Sequence, residues 1–123
     1  MRLLLDTHVV IWWDLGAPLS AEAKRAIMEA DEVCVSAVSE WEVAIKARLG
    51  KIRSTRSIET VVRENGFTEL PLLMRHAARV RALPPLHRDP FDRLLVAQAL
   101  AEGLRIVTRD DALIAYAVPT IRA

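Results

Sequence analysis

RLLLDTHVVIWW, residues 2–13, is the stretch on which the reading of this chain turns. A short apolar run ends in Asp6, and a second apolar run starts almost at once. RLLL has the length of a buried strand, while THVVIWWDLG has that of a helix closed by Gly16, with Pro18 beyond it. Asp6 thus falls at a strand end, where burial is expected and a carboxylate is costly. A lone Asp there can serve as a helix cap. Further acids arriving at the same place would mean chemistry.

Working outward, Ser20 caps SAEAKRAIMEA, and EVCVS (32–36) is a second β-branched strand. SAVSEWEVAIKARLG forms an amphipathic helix ending at Gly50, with Arg48 and Lys51 near its C-terminus. RSIETVVRENG (56–66) is a further helix and FTEL (67–70) a third strand. LLMRHAARVRAL is a helix stopped by Pro84 and Pro85. DPFDRLLVAQALAEG (89–103) carries Asp89 as N-cap, Pro90 at the first helical position and Gly103 past the end. Its middle is apolar nearly all round, which predicts burial. RIVT (105–108) is a fourth strand. VPTI (118–121) is a candidate fifth, placed at an edge by Pro119. Strands alternating with helices predict an α/β fold, one domain over residues 1–123, on a parallel sheet.

Composition narrows the class. A chain of 123 residues with 52% apolar content buries a core without staples. No apolar run reaches the ~18 residues of a membrane span, and Met-Arg leads straight into a strand, unlike a signal peptide. The single Cys34 reads as a buried thiol, which suits a reducing cytoplasm. Net charge is +1, too mild by itself to mark a nucleic-acid binder. The 14 Arg against 3 Lys favour bidentate phosphate or carboxylate contacts, although a GC-rich coding bias gives the same ratio.

Topology then gathers the acids on one edge of the sheet, and into one cleft if strand one is central. In parallel βαβ units, strand carboxyl ends and the following helix amino ends share one edge of the sheet, where ligands bind. Asp6 follows strand one. Glu42 lies early in the helix after strand two, Asp92 in the first turn of the helix before strand four, and Asp110 just beyond Val107. Two carboxylates ~5 Å apart repel by roughly 3 kcal/mol at an effective dielectric near 20, so four together require protons or a cation. Oxygen ligands suit Mg²⁺ or Mn²⁺. A carboxylate-held divalent ion activates water and neutralises a phosphodiester in its transition state, which is nuclease chemistry. Local explanations stand beside this one. Glu42 follows Ser39 by three and Asp92 follows Asp89 by three, as in a capping box. Glu42 is also spaced to pair with Lys46, and Asp110 or Asp111 can cap DALIAY. Asp6 is the hardest to explain this way, because no local helix start clearly needs it.

LLLDTHVVIWW, SAVSEWEVAIKARLGK, HRDPFDRLLVAQALAEGLRIVTRD and DALIAY together resemble the PIN domain, in particular the VapC-type toxins of bacterial toxin–antitoxin pairs. The resemblance spans essentially the whole chain. It implies a Mg²⁺- or Mn²⁺-dependent endoribonuclease with a five-stranded parallel sheet, whose acidic positions fall on Asp6, Glu42, Asp92 and Asp110. The T-x-D spacing favours Asp110 over Asp111. Thr108 and Ser36 match the family's polar residues after strands four and two, and Thr7 adjoins Asp6 as a supporting position. Lys46, Arg93, Arg109 and Arg88 flank the acids and are candidate RNA-phosphate contacts. Asp89 is assigned to its cap and Glu40 to solvent. His8, close enough to Asp6 to orient a water, and His87 read as packed or surface residues, and His76 as surface. Core packing accounts for most of Trp12, Trp13 and Trp41 and is expected to bury one indole fully; the resemblance adds an antitoxin groove near these helices and a homodimer.

Two other readings use the same residues. One is a PIN-like module that binds RNA or protein without cutting; the intact acidic set weighs against it. The other is a phosphotransfer protein with Asp6 as nucleophile. That chemistry wants a second acid beside strand one and a later basic residue, yet Thr7 and His8 follow Asp6 and no Lys occurs after Lys51. A phosphate loop is excluded by the wide spacing of the four glycines.

Overall fold

The computed structural model describes residues 1–52 and 56–123. β1 (Arg2–Leu5), β2 (Glu32–Ser36), β3 (Thr68–Leu70), β4 (Arg105–Thr108) and β5 (Thr120–Arg122) form a parallel sheet ordered β3-β2-β1-β4-β5. β1 is central, pairing Leu4 with Cys34 on one side and with Ile106 on the other. The helices between strands are α1 (Thr7–Leu15), α2 (Ala21–Glu29), α3 (Ala37–Arg48), α4 (Ile58–Asn65), α5 (Met74–Arg79), α6 (Pro90–Glu102) and α7 (Asp111–Ile114).

The continuous apolar character of β1 follows from cover on both faces. Leu3 and Leu5 point into a core with Val9, Val10, Ala23, Ile27 and Val61, beneath α1, α2 and α4. Leu4 points the other way, into a core with Leu95, Val96, Ile106, Leu113 and Tyr116, beneath α6 and α7. Cys34 is buried as expected, and burial pushes its thiol up to about 12.

Several details differ from the sequence reading. Residues 72–83 form a shorter α5 and then a 3₁₀ turn over Val80–Ala82. Leu83, ahead of Pro84, is extended at ψ 137°, as the proline ring demands. The fifth strand is Thr120–Arg122 rather than 118–121. Pro119 precedes it and accepts from Ile106 N at 2.9 Å, a bond that needs only its carbonyl. The N-cap of α3 is Ser36, whose side chain accepts from Val38 N at 3.0 Å, so Glu42 lies too deep in the helix for a capping box.

The sheet grows from β1 through β2 to β3 and resumes on the other side of β1 with β4. The crevice at the carboxyl ends of β1 and β4 is therefore the topological switch point. Asp6 N donates to Val107 O there at 3.0 Å, so Asp6 is docked directly against the end of β4.

Candidate active site

A cleft of about 400 Å³ opens at this switch point, walled by Asp6, Glu42, Asp92 and Asp110, with His8, Trp12, Lys46, His87, Asp89 and Arg109 around them. All four acids named from the sequence meet in one place. Asp6 occupies the N-cap position of α1 yet makes no side-chain cap bond. Its Oδ2 instead accepts from Thr108 Oγ1 at 2.8 Å, and the same hydroxyl accepts from Asp110 N at 3.0 Å. Thr108, at the end of β4, thereby sets two acids relative to each other.

Glu42 is almost wholly buried and uses both oxygens. Oε1 accepts from Thr7 Oγ1 at 2.7 Å and Oε2 from Lys46 Nζ at 2.5 Å. The single hydroxyl hydrogen of Thr7 is spent on Glu42, so Ser39 Oγ donates to Thr7 Oγ1 at 2.8 Å. Asp89 caps α6 through Phe91 N and Asp92 N, as expected. Asp92 is thereby left to turn into the cleft, where His87 Nε2 lies 2.8 Å from its Oδ2. Asp110 combines two roles: Oδ1 caps α7 at Ala112 N, and Oδ2 stands 3.8 Å from His87 Nε2. Asp111 points away and pairs with Arg122.

The electrostatics record the crowding. Burial raises the Asp6 carboxyl above its usual range, and Glu42 and Asp110 add to the rise against the opposing Thr108 hydrogen bond and His8. Asp92 is pushed up to about 7, first by burial and then by Asp6, Asp89 and Glu42, against the His87 hydrogen bond. Burial lowers the Lys46 ammonium, but the hydrogen bond and charge of Glu42, with Asp89 and Asp92 beyond, leave it raised overall. Among the described residues, the one ammonium in the cleft, that of Lys46, is already committed to Glu42. A site this rich in negative charge and oxygen donors suits a hard divalent cation, and one atom each from His87, Asp92 and Asp110 lies within 4.8 Å of the others.

The supporting residues divide. Thr7, Thr108, Lys46 and Arg109 are at the cleft or bonded to its acids. Ser36 is not: its buried hydroxyl donates to Gln98 Oε1 at 2.5 Å while Gln98 Nε2 donates to Pro71 O, tying β2 to α6. Arg93 turns away to Pro84 O, Val80 O and Tyr116 Oη, so it braces the segment before α6. Arg88 is exposed. Glu40 is not simply solvated, since it accepts from Glu59 N at the start of α4. His76 is fully buried, not on the surface; Nδ1 accepts from Leu73 N, so Nε2 carries the hydrogen that faces Glu102. His87 is the participant missed in the sequence. Its spacing from Asp92 carries no periodic signal, and a loop closed by Tyr116 from beyond β4 brings it in.

None of the three indoles is fully buried, and they do not share one groove. Trp12 lines the acid cleft, with the Arg109 guanidinium 4.2 Å over its ring. Trp13 lines a separate groove with Leu19, Lys24 and Met28. Trp41 is 55% exposed on α3, edge-on to Phe91 of α6.

A parallel α/β sheet with four acids converging at its switch point defines the class of protein. The chain belongs to the PIN domain family, which matches residues 3–119. It is 38% identical over 117 residues to Ribonuclease VapC22 of Mycobacterium tuberculosis, an alignment covering 88% of this chain and 86% of that protein. Its fold is similar to that of VapBC2 from Rickettsia felis bound to a DNA fragment from its promoter. That match has a TM-score of 0.73 and 12% identity, over 99% of this chain and 98% of the other. DNA-bound VapBC from Salmonella typhimurium matches at TM-score 0.68 and 17% identity, over 99% and 98%.

Proposed function

We propose that residues 1–123 act as one metal-dependent endoribonuclease, the toxin of a toxin–antitoxin pair, working in the cytoplasm on RNA until an antitoxin neutralises it. The observation that carries this reading is the convergence of Asp6, Glu42, Asp92 and Asp110 on one cleft, with Asp6 and Asp92 buried at a cost that a proton or a cation must offset. The 38% identity to a protein named as a ribonuclease supports the substrate class.

Asp6, Asp92, Glu42 and Asp110 are the residues assigned to hold Mg²⁺ or Mn²⁺. The bound ion supplies an activated water and neutralises charge on the phosphodiester. Thr108 ties the Asp6 carboxylate to the Asp110 backbone N–H, setting the two residues relative to each other. Thr7 and Lys46 hold Glu42 in one rotamer through its two oxygens, so the ligand geometry is preset. Arg109, over the Trp12 ring and making no ion pair among the described residues, is offered to an RNA phosphate at the rim.

The antitoxin is assigned to apolar surface the fold leaves open, including the groove of Trp13, Leu19 and Met28, with an antitoxin Arg competing for the cleft carboxylates. The exposed Trp41, Leu73 and Met74 are assigned to a homodimer or to the antitoxin complex. No helix among the described residues is long and apolar enough to cross a membrane.

The test is cleavage of single-stranded RNA by the purified chain with Mg²⁺ or Mn²⁺, abolished by chelation and by Asp6→Asn, whose circular dichroism stays native. RNA left intact by the native protein with either ion, together with normal growth on induction, would refute the reading.

A further inference from the structure

His87 stands apart from the carboxylates around it, because it brings nitrogen to an oxygen site. Its backbone N–H donates to Tyr116 Oη at 3.1 Å, and the same phenol accepts from Arg93 Nη1 at 3.1 Å. The residue is therefore anchored through its main chain, and the imidazole interacts only with the cleft acids among the described residues. Nε2 lies 2.8 Å from Asp92 Oδ2 and 3.8 Å from Asp110 Oδ2. An octahedral ion with bonds of about 2.1 Å holds adjacent ligand atoms about 3 Å apart and opposite ones about 4.2 Å apart. The first separation matches an adjacent pair, and the second falls between adjacent and opposite. One ion can reach all three atoms after small side-chain adjustments.

We propose that His87 is a nitrogen ligand of the divalent ion in the acid cleft, alongside Asp92 and Asp110, and that it gives the centre a preference for Mn²⁺ over Mg²⁺. The proposal rests on the reading of the cleft as a metal site. Without an ion, Nε2 and Asp92 Oδ2 share a hydrogen bond at 2.8 Å. A metal ligand at this position binds through the Nε2 lone pair and carries its hydrogen on Nδ1. Mg²⁺ keeps to oxygen and dehydrates reluctantly. Imidazole shifts a carboxylate centre towards first-row transition ions, and among these Mn²⁺ stays closest to the oxygen preference of the remaining ligands.

Pulsed electron paramagnetic resonance of the Mn²⁺-loaded full chain, with calorimetric titration of both ions, tests this. Imidazole-type nitrogen modulation is expected in the native protein. It should persist in His8→Gln, which removes the other imidazole lining the cleft, and vanish in His87→Gln. Mn²⁺ affinity should fall about tenfold in His87→Gln while Mg²⁺ affinity changes less than about threefold. Mn²⁺ bound without nitrogen modulation, modulation lost in His8→Gln, or an equal fall for both ions in His87→Gln would overturn the proposal while leaving the metal site standing. Failure of the native chain to bind either ion would remove both. If His87→Gln does not fold, the native and His8→Gln spectra decide alone.

Discussion

Thr7 Oγ1 donates to Glu42 Oε1 at 2.7 Å, joining the first residue of α1 to a buried carboxylate on α3. Strand β1 thus delivers two consecutive site residues: Asp6 into the cleft, and Thr7 behind it as a brace for Glu42. Thr7→Val keeps the side-chain shape and deletes the donor. The loss should cost about 1–3 kcal/mol, since a buried acceptor loses its partner. RNA cleavage should fall roughly tenfold through misplaced ligand geometry. Urea unfolding and initial cleavage rates check both; native values in the two measurements contradict the role.

The raised Asp92 carboxyl gives the metal-free protein a defined pH response. Asp92 stays protonated in the folded chain up to about 7, against an ordinary value of 3.8. Between these values the folded state holds a proton that the unfolded state has released, so stability falls as pH rises through the window. Asp6 acts in the same direction. Glu102, pulled down to about 2 by Arg75 and His76, responds only on the more acidic side. Metal-stripped protein should melt lower at about pH 8 than at about pH 5. Asp92→Asn should reduce the difference, and added Mg²⁺ should recover stability at the higher pH. A melting temperature that rises across this range would contradict the assignment.

Arg109 is fixed before any ligand arrives. Nη2 donates to Pro18 O at 2.9 Å and to Ala123 O at 3.4 Å, and the guanidinium lies on Trp12. Nη1 and Nε make no hydrogen bond among the described residues and remain available to a phosphate. In an Asp92→Asn background that cannot cleave, Arg109→Gln should weaken single-stranded RNA binding and lower the slope of log affinity against log salt by about 0.7, the share of one phosphate. An unchanged slope, measured by fluorescence anisotropy, argues against a phosphate contact here.

Tyr116 Oη accepts from both His87 N and Arg93 Nη1 from within the α6–α7 core. Tyr116→Phe removes the acceptor and little volume, and should cost about 1–3 kcal/mol. Hydrogen exchange at the His87 amide should accelerate more than that of the β1 amides. Equal protection in both variants would mean that this bond does not hold the loop.

The β1 segment shows why so much of the fold was legible. Leu3 to Leu5 are apolar without a break because both faces of a parallel strand are covered, and the helix that follows ends at Gly16 with φ +68°, a conformation glycine adopts without strain. Asp6, Glu42, Asp92 and Asp110 were found because topology alone puts strand ends and helix starts on one rim. Other residues carried misleading local signals. His76 sits among arginines in sequence, yet its ring closes the gap between Leu73 and Glu102. Arg93 is next to Asp92 in the chain but one helical step of ~100° around α6, and so reaches carbonyls instead of the cleft.

The sequence by itself determined the parallel α/β architecture and the gathering of four acids, because strand and helix periods and chain order are local, one-dimensional information. Tertiary structure alone decided which groups answer those acids. Thr108 bridges Asp6 and Asp110, Arg109 rests on Trp12, and His87 faces Asp92. The last of these depends on a phenol 29 residues further along. Contacts of that kind depend on distances across the sheet edge, which follow from the packing of several elements at once.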